Sequence, residues 1–149
     1  MYWKRIKEEI QLPVEIEKYN RDIFNEKSFD FISYIGEEEK AKYSNYLTVN
    51  EKNGLGEEFL KLSESSSNTG FIIDIDSNCS QNKSKIDFII DKENPKVVSQ
   101  NLIICRENSS LELTLNYDDH DEIYGFHNGF TKIFVEKGAK LTCCASKTY

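Results

Sequence analysis

The residues of this chain best suited to soft-ligand chemistry are its cysteines and histidines: Cys79, Cys105, Cys143, Cys144, His120 and His127. Thiolates hold iron–sulfur clusters and zinc, and imidazole suits zinc, copper and iron. Spacing decides which of them could act together. No Cys-x-x-Cys occurs. Cys143 and Cys144 are adjacent, so in a strand they point to opposite faces and do not share one metal. Cys143 continues the series Leu141, Cys143, Ala145 and is expected in the core as a small hydrophobe, which turns Cys144 outward. Cys105 ends an apolar run and also reads as core, whereas Cys79 falls in a polar loop and is expected exposed. Packing or incidental roles are the expectation for all of these thiols.

His120 stands among Asp118, Asp119, Asp121 and Glu122. Such a cluster could collect a divalent cation, though it lacks calcium-loop spacing; the blander reading is a solvated acidic loop. His127 lies beside Asn128 and Gly129 at an expected corner, where capping a turn competes with ligation. The weak metal candidates are therefore Cys105, Cys144, His120 and His127. Catalytic arrangements are not readable. No nucleophile elbow or Ser/His/Asp set is present, and Asn53-Gly54-Leu55-Gly56 has neither the spacing nor the lysine of a phosphate-binding loop. Asp74 and Asp76 share one strand face, but alternating outward acids are ordinary solubility devices. The expectation is a chain that is not an enzyme.

Elements must position whatever these residues do. At 149 residues the chain is long enough for one cored domain, with or without an appendage. A net charge of −7 repels phosphate backbones, and Lys4-Arg5-Ile6-Lys7, the one compact basic patch, is followed by Glu8-Glu9. Nucleic acid is excluded as a partner. No apolar run approaches the roughly 20 residues of a membrane span. Met1 to Arg5 lacks the apolar segment of a signal peptide, and the cysteines have no disulfide-framework spacing, so the chain reads as cytoplasmic with reduced thiols.

Residues 1–70 read as a helical and irregular N-terminal region. Met1–Ile10 has apolar residues near one helical face before Pro13 interrupts it. Between Val14 and Phe31, helical spacing (Ile16, Tyr19, Ile23, Phe24) and alternation (Phe29, Phe31, Ser33) compete. Gly36 followed by Glu37-Glu38-Glu39 reads as a helix start, with Ala41, Tyr43, Tyr46 and Leu47 as its buried side. Asn53-Gly54 reads as a turn, Glu57–Leu62 as a short helix, and Ser63–Gly70 as a linker.

From Phe71 to Tyr149 the period is two. Phe71, Ile73 and Ile75 alternate with Ile72, Asp74 and Asp76, Ile86, Phe88 and Ile90 with Asp87, Ile89 and Asp91, and Leu111, Leu113, Leu115 and Tyr117 with Glu112, Thr114 and Asn116. Ile103–Leu115 and Ile133–Ala145 share one pattern: an apolar run, a polar turn, an alternating run. Ile73, Ile103 and Ile133 are spaced by 30, although the Ser77–Lys85 loop is longer than its counterparts. A fixed period marks stacked units that each need a neighbour. No helix separates the strands, which leaves an antiparallel sandwich or a coil of parallel strands; equal spacing favours the coil. The chain stops at Lys147-Thr148-Tyr149 just after a strand. The expectation is that two chains join there or that the coil continues.

The run Phe126–Leu141, of the form x-N-x-x-T-x-I-x-V-x-x-x-A-x-L, resembles the SufB/SufD family of iron–sulfur cluster assembly proteins. Asn101–Tyr117 resembles the preceding rung. The resemblance covers about residues 71–149 and not 1–70. It implies a right-handed parallel β-helix, mainly β, with a scaffold role beside a Suf-type ABC ATPase and a second SufB/SufD-like subunit or a second copy of this chain. Family members are usually much longer, and the positions tied to cluster building in them have no counterpart here. The resemblance therefore implies no cofactor on this chain and puts any iron–sulfur cluster in the full complex. The open end of the coil leads to the expectation of a dimer formed through it. A stand-alone β-solenoid interaction module is the alternative. A sugar-processing β-helix enzyme is a weaker third.

Overall fold

A computed structural model describes residues 18–19, 31–47, 67–79, 83–119 and 125–148. The described chain is mainly β. Strand β1 (Ile32–Tyr34) precedes two short helices, α1 (Glu37–Lys42) and α2 (Ser44–Leu47). Six longer strands follow: β2 (Phe71–Ile75), β3 (Lys83–Ile90), β4 (Lys96–Cys105), β5 (Ser110–Asp119), β6 (Phe126–Val135) and β7 (Lys140–Thr148). They form one sheet of order β1-β2-β4-β6 and another of order β3-β5-β7. Only β1 pairs antiparallel; β2–β4–β6 and β3–β5–β7 are parallel. The antiparallel sandwich is thereby excluded. The chain alternates between the sheets, so β2–β3, β4–β5 and β6–β7 are three successive laps.

The register follows the sequence period. Ile73 pairs with Ile103 and Ile103 with Ile133, and Leu111 pairs with Leu141. The β3–β5 register instead starts at Lys83 opposite Glu112, so the first turn is one residue longer, as its loop suggested. The corner turns also stack. Cys79, Ser109 and Ala139 each donate a backbone N–H to the carbonyl three residues earlier, on Asp76, Arg106 and Glu136. Asn108 and Gly138, 30 residues apart, take positive φ of 61° and 73° there. Asparagine and glycine are the residues that accept this backbone at least cost.

The alternating rows of both sheets meet in one core. Phe71, Ile73, Ile75, Val97, Ile103 and Cys105 face Ile86, Phe88, Ile90, Leu111, Leu113 and Leu115, all buried. Burying such rows is the main stabilising term, at about 25 cal/mol per Å² of apolar surface. The outer face of the first sheet is apolar too. Ile72, Leu102 and Ile104 are covered by Ile35, Tyr43 and Leu47, with Tyr46 and Phe134 at the margin. Both faces of β2 are thereby covered, and Phe71, Ile72, Ile73 and Ile75 are all buried.

The N-terminal part caps the first lap. Tyr19 is 4% exposed and packs in the main core. Its hydroxyl accepts the Ile89 N–H at 2.9 Å and donates to the Ile89 carbonyl at 3.4 Å. A side chain thus satisfies backbone groups that edge strand β3 would otherwise leave open.

Several expectations are corrected. Phe31 lies in a turn and Ile32–Tyr34 is a strand whose Ser33 is exposed, while most of Val14–Phe31, where the two periods compete, lies outside the described residues. Glu37–Lys42 is a helix beginning after Gly36, as expected, but Ala41 is exposed because the segment buries only Tyr43 and Leu47. The described end of the supposed linker, 67–70, is built into the sheet. Asn68 N–H donates to Val98 O at 2.9 Å, Gln100 N–H to Thr69 O at 3.2 Å, and Ile35 N–H to Gly70 O at 3.1 Å. Asp118 and Asp119 belong to β5 and not to a loop. The expected helices at 1–10 and 57–62 and the turn at 53–54 lie outside the described residues.

Gly70 is a point of close approach. Its φ is +148°, and a Cβ there would sit 1.9 Å from the Gln100 carbonyl oxygen. Gly70→Ala is expected to cost on the order of 3 kcal/mol, because backbone must move. Gly36→Ala is the control: its Cβ meets only the flexible Glu39 carboxylate at 3.2 Å. Urea unfolding followed by circular dichroism separates the two.

Candidate functional site

The third lap differs from the two beneath it. Ile103 and Cys105 are sealed at 0% exposure, whereas Ile133 and Val135, in register above them, are 48% and 49% exposed. Leu111, Leu113 and Leu115 are buried, while Leu141 is half-buried and Cys143 and Ala145 are exposed. The alternation that built a core below continues upward with nothing covering it among the described residues. Among the described residues β6 and β7 are also the last strands of their sheets, so one edge of each has no strand partner there. Ile133, Val135, Leu141, Cys143 and Ala145 are the uncharged members of these rows.

His127 stands on the same inner row, in register with buried Val97. It is a strand residue and not the corner cap expected. Its ring packs on Tyr117 at 4.2 Å between centroids, tilted by 45°. Tyr117 stacks in turn on Phe88 at 5.2 Å, and Phe88 lies 6.4 Å from Phe71. An aromatic column thus rises through the laps and ends at His127. Burial pushes the Tyr117 phenol up to about 12, with a smaller push from nearby Cys143. Gly129 leaves room for this packing, since a Cβ there would lie 2.9 Å from Ser99 Oγ and 3.1 Å from His127 Nε2.

The cysteines disperse. Cys105 is buried as expected, and burial pushes its thiol up, partly offset by a hydrogen bond with Ser109. Cys144 is exposed and pairs with Thr114, one register step from Cys143, so the two do point to opposite faces. Cys143 is exposed, against expectation. Its row is the inward one, but no strand covers it among the described residues. Cys79 is half-buried against the core and not exposed, because the first corner turn folds it in. His120 lies outside the described residues. Among the described residues no group of three or more His, Cys, Asp or Glu side chains could hold a metal.

A polar cluster outside this set was missed. Arg106 Nε donates to Asp74 Oδ1 at 2.8 Å and Nη2 to Oδ2 at 3.0 Å, a two-pronged pair. Tyr43 donates its hydroxyl to Asp74 Oδ2 at 2.9 Å, and Arg106 Nη1 donates to the Tyr46 hydroxyl at 2.9 Å. Glu136 Oε2 lies 3.7 Å from Nη1. Asp74 therefore organises contacts and is not a solubility device. The Arg106 fork, first, and the Tyr43 hydroxyl hold its carboxyl below the usual carboxylate range against the opposing effect of burial. The period held only part of the clue: Arg106 and Glu136 stand 30 apart, but Asp74 lies two residues off that column. Tyr43 and Tyr46 lie far away in sequence and left no such trace.

Among the described residues no helix is long and apolar enough to cross a membrane. The chain matches no protein-family model, no curated protein and no solved structure.

Proposed function

We propose that the chain is a non-catalytic assembly scaffold, a right-handed parallel β-helix that docks a second β-helical subunit through its uncovered third lap. The observation that carries this reading is the change between Ile103 and Cys105, fully buried, and Ile133 and Val135, half exposed in the same rows. An end face with two free strand edges and an apolar centre suits a partner that supplies strands and a matching apolar row. The partner is a second copy of this chain or a similar subunit, and the first lap, capped by Tyr19, leaves the third lap as the docking end.

The resemblance of Asn101–Tyr117 and Phe126–Leu141 to SufB/SufD proteins ties this scaffold to iron–sulfur cluster assembly. In that role an ABC-type ATPase supplies the nucleotide hydrolysis, and any cluster forms in the complete complex. The test is a pull-down of the chain, together with a Suf-type ABC ATPase and a SufB/SufD-like subunit, repeated with Ile133→Asp/Val135→Asp. Retention of both partners by the wild type and loss of the subunit by the variant is the expected result. Retention of a β-helical partner without any ATPase supports the stand-alone interaction module instead. No association in either arm overturns the scaffold reading.

A further inference from the structure

We infer that the α1–α2 arm controls the order of the uncovered third lap, with Arg106 as the hub between them. Arg106 sits in the corner turn of the second lap. Its fork holds Asp74 on the first lap, its Nη1 holds the Tyr46 hydroxyl on the arm, and Glu136 on the third lap lies 3.7 Å from the same nitrogen. One side chain thus touches every lap and the arm.

Two further contacts run directly from arm to β6. Tyr46 meets Phe134 edge-on at 5.0 Å between centroids. Lys132 donates its ammonium to the Leu47 carbonyl at the end of α2. Glu136 Oε1 also accepts the Glu107 N–H at 3.0 Å, which ties the third corner turn to the second. The residues the arm holds, Lys132, Phe134 and Glu136, alternate with Ile133 and Val135. Neighbouring strand residues point to opposite faces. Fixing the outer row therefore fixes the direction of the inner row, which is the docking row.

β6 has a strand neighbour on one side only among the described residues. Its order depends on that neighbour and on what grips its outer face. Seating the arm prepares the docking edge, and releasing it lets the edge fray. By linkage, whatever docks on the third lap tightens the arm by the same factor.

The inference deepens the docking reading by adding its regulation, and its test uses the free chain, so failure to dock and failure to couple are separate results. Amide hydrogen exchange is measured on the wild type, Arg106→Gln and Tyr46→Phe. Tyr46→Phe keeps the ring against Phe134 and removes only the acceptor of Arg106, so it is expected to fold even if Arg106→Gln does not. A hydrogen bond to a charged group is strong enough for its loss to change local opening by about tenfold. Exchange is expected to rise together in 37–47 and in 130–135, about tenfold for Arg106→Gln and about fivefold for Tyr46→Phe, with β3 and β5 unchanged. Faster exchange in the arm alone, or a uniform rise across all strands, overturns the coupling.

Discussion

Ile103→Ala is expected to cost about 3–4 kcal/mol of folding stability, and Ile133→Ala, the same change one lap higher, less than about 1 kcal/mol. The two residues occupy one row in direct register. What differs is cover. Ile103 is fully buried within a core shared by both sheets, so its deletion removes transfer energy and leaves a cavity. Ile133 is 48% exposed, so half of that energy is never gained and no closed cavity forms. Urea denaturation at low protein concentration measures both. Equal costs would mean that the third lap is sealed and that no docking face exists there.

Asp74→Asn is expected to cost about 2 kcal/mol, through loss of a two-pronged charged pair and weakening of the Tyr43 contact. The side chains of Asp74 and Arg106 are 25% and 35% exposed, so solvent moderates the loss. The acid side of the pH profile follows from the same pair. The Asp74 carboxyl is held below its ordinary value in the fold, so the folded state binds its proton less readily than the unfolded chain does. Its contribution is complete above the ordinary carboxylate range and declines as pH falls through the folded value. Tyr43 acts in the opposite direction. Burial, with help from Asp74, raises its hydroxyl from 10.0 to about 12. Its contribution is complete below pH 10 and is lost as pH rises from there through about 12. Stability measured against pH should therefore fall at both ends, and Asp74→Asn should flatten the acid limb. An unchanged acid limb would contradict the pair's assigned role.

Much of the fold is legible because a period leaves its mark on every lap. Ile73, Ile103 and Ile133 set the register, and Asn108 and Gly138 mark equivalent corners. Alternation alone also locates the inner row of β5. The N-terminal part is less legible because its role depends on contacts without a repeat. Tyr19 caps β3 from 70 residues away, and Tyr43 and Tyr46 hold side chains on later laps. Ser67–Gly70 has the composition of a linker, yet hydrogen bonds to β4 recruit its backbone. Cys143 shows the limit of pattern in the other direction. Its row is read correctly, but alternation tells which way a side chain points and not whether anything covers it.

Sedimentation equilibrium tests the docking face most directly, comparing the wild type with Ile133→Asp/Val135→Asp. Both residues are half exposed, so the variant should keep the wild-type circular dichroism spectrum. A dimeric wild type and a monomeric variant are predicted. A wild type that stays monomeric at high concentration and also binds no SufB/SufD-like subunit, or a variant that dimerises as well as the wild type, would contradict assembly through the third lap.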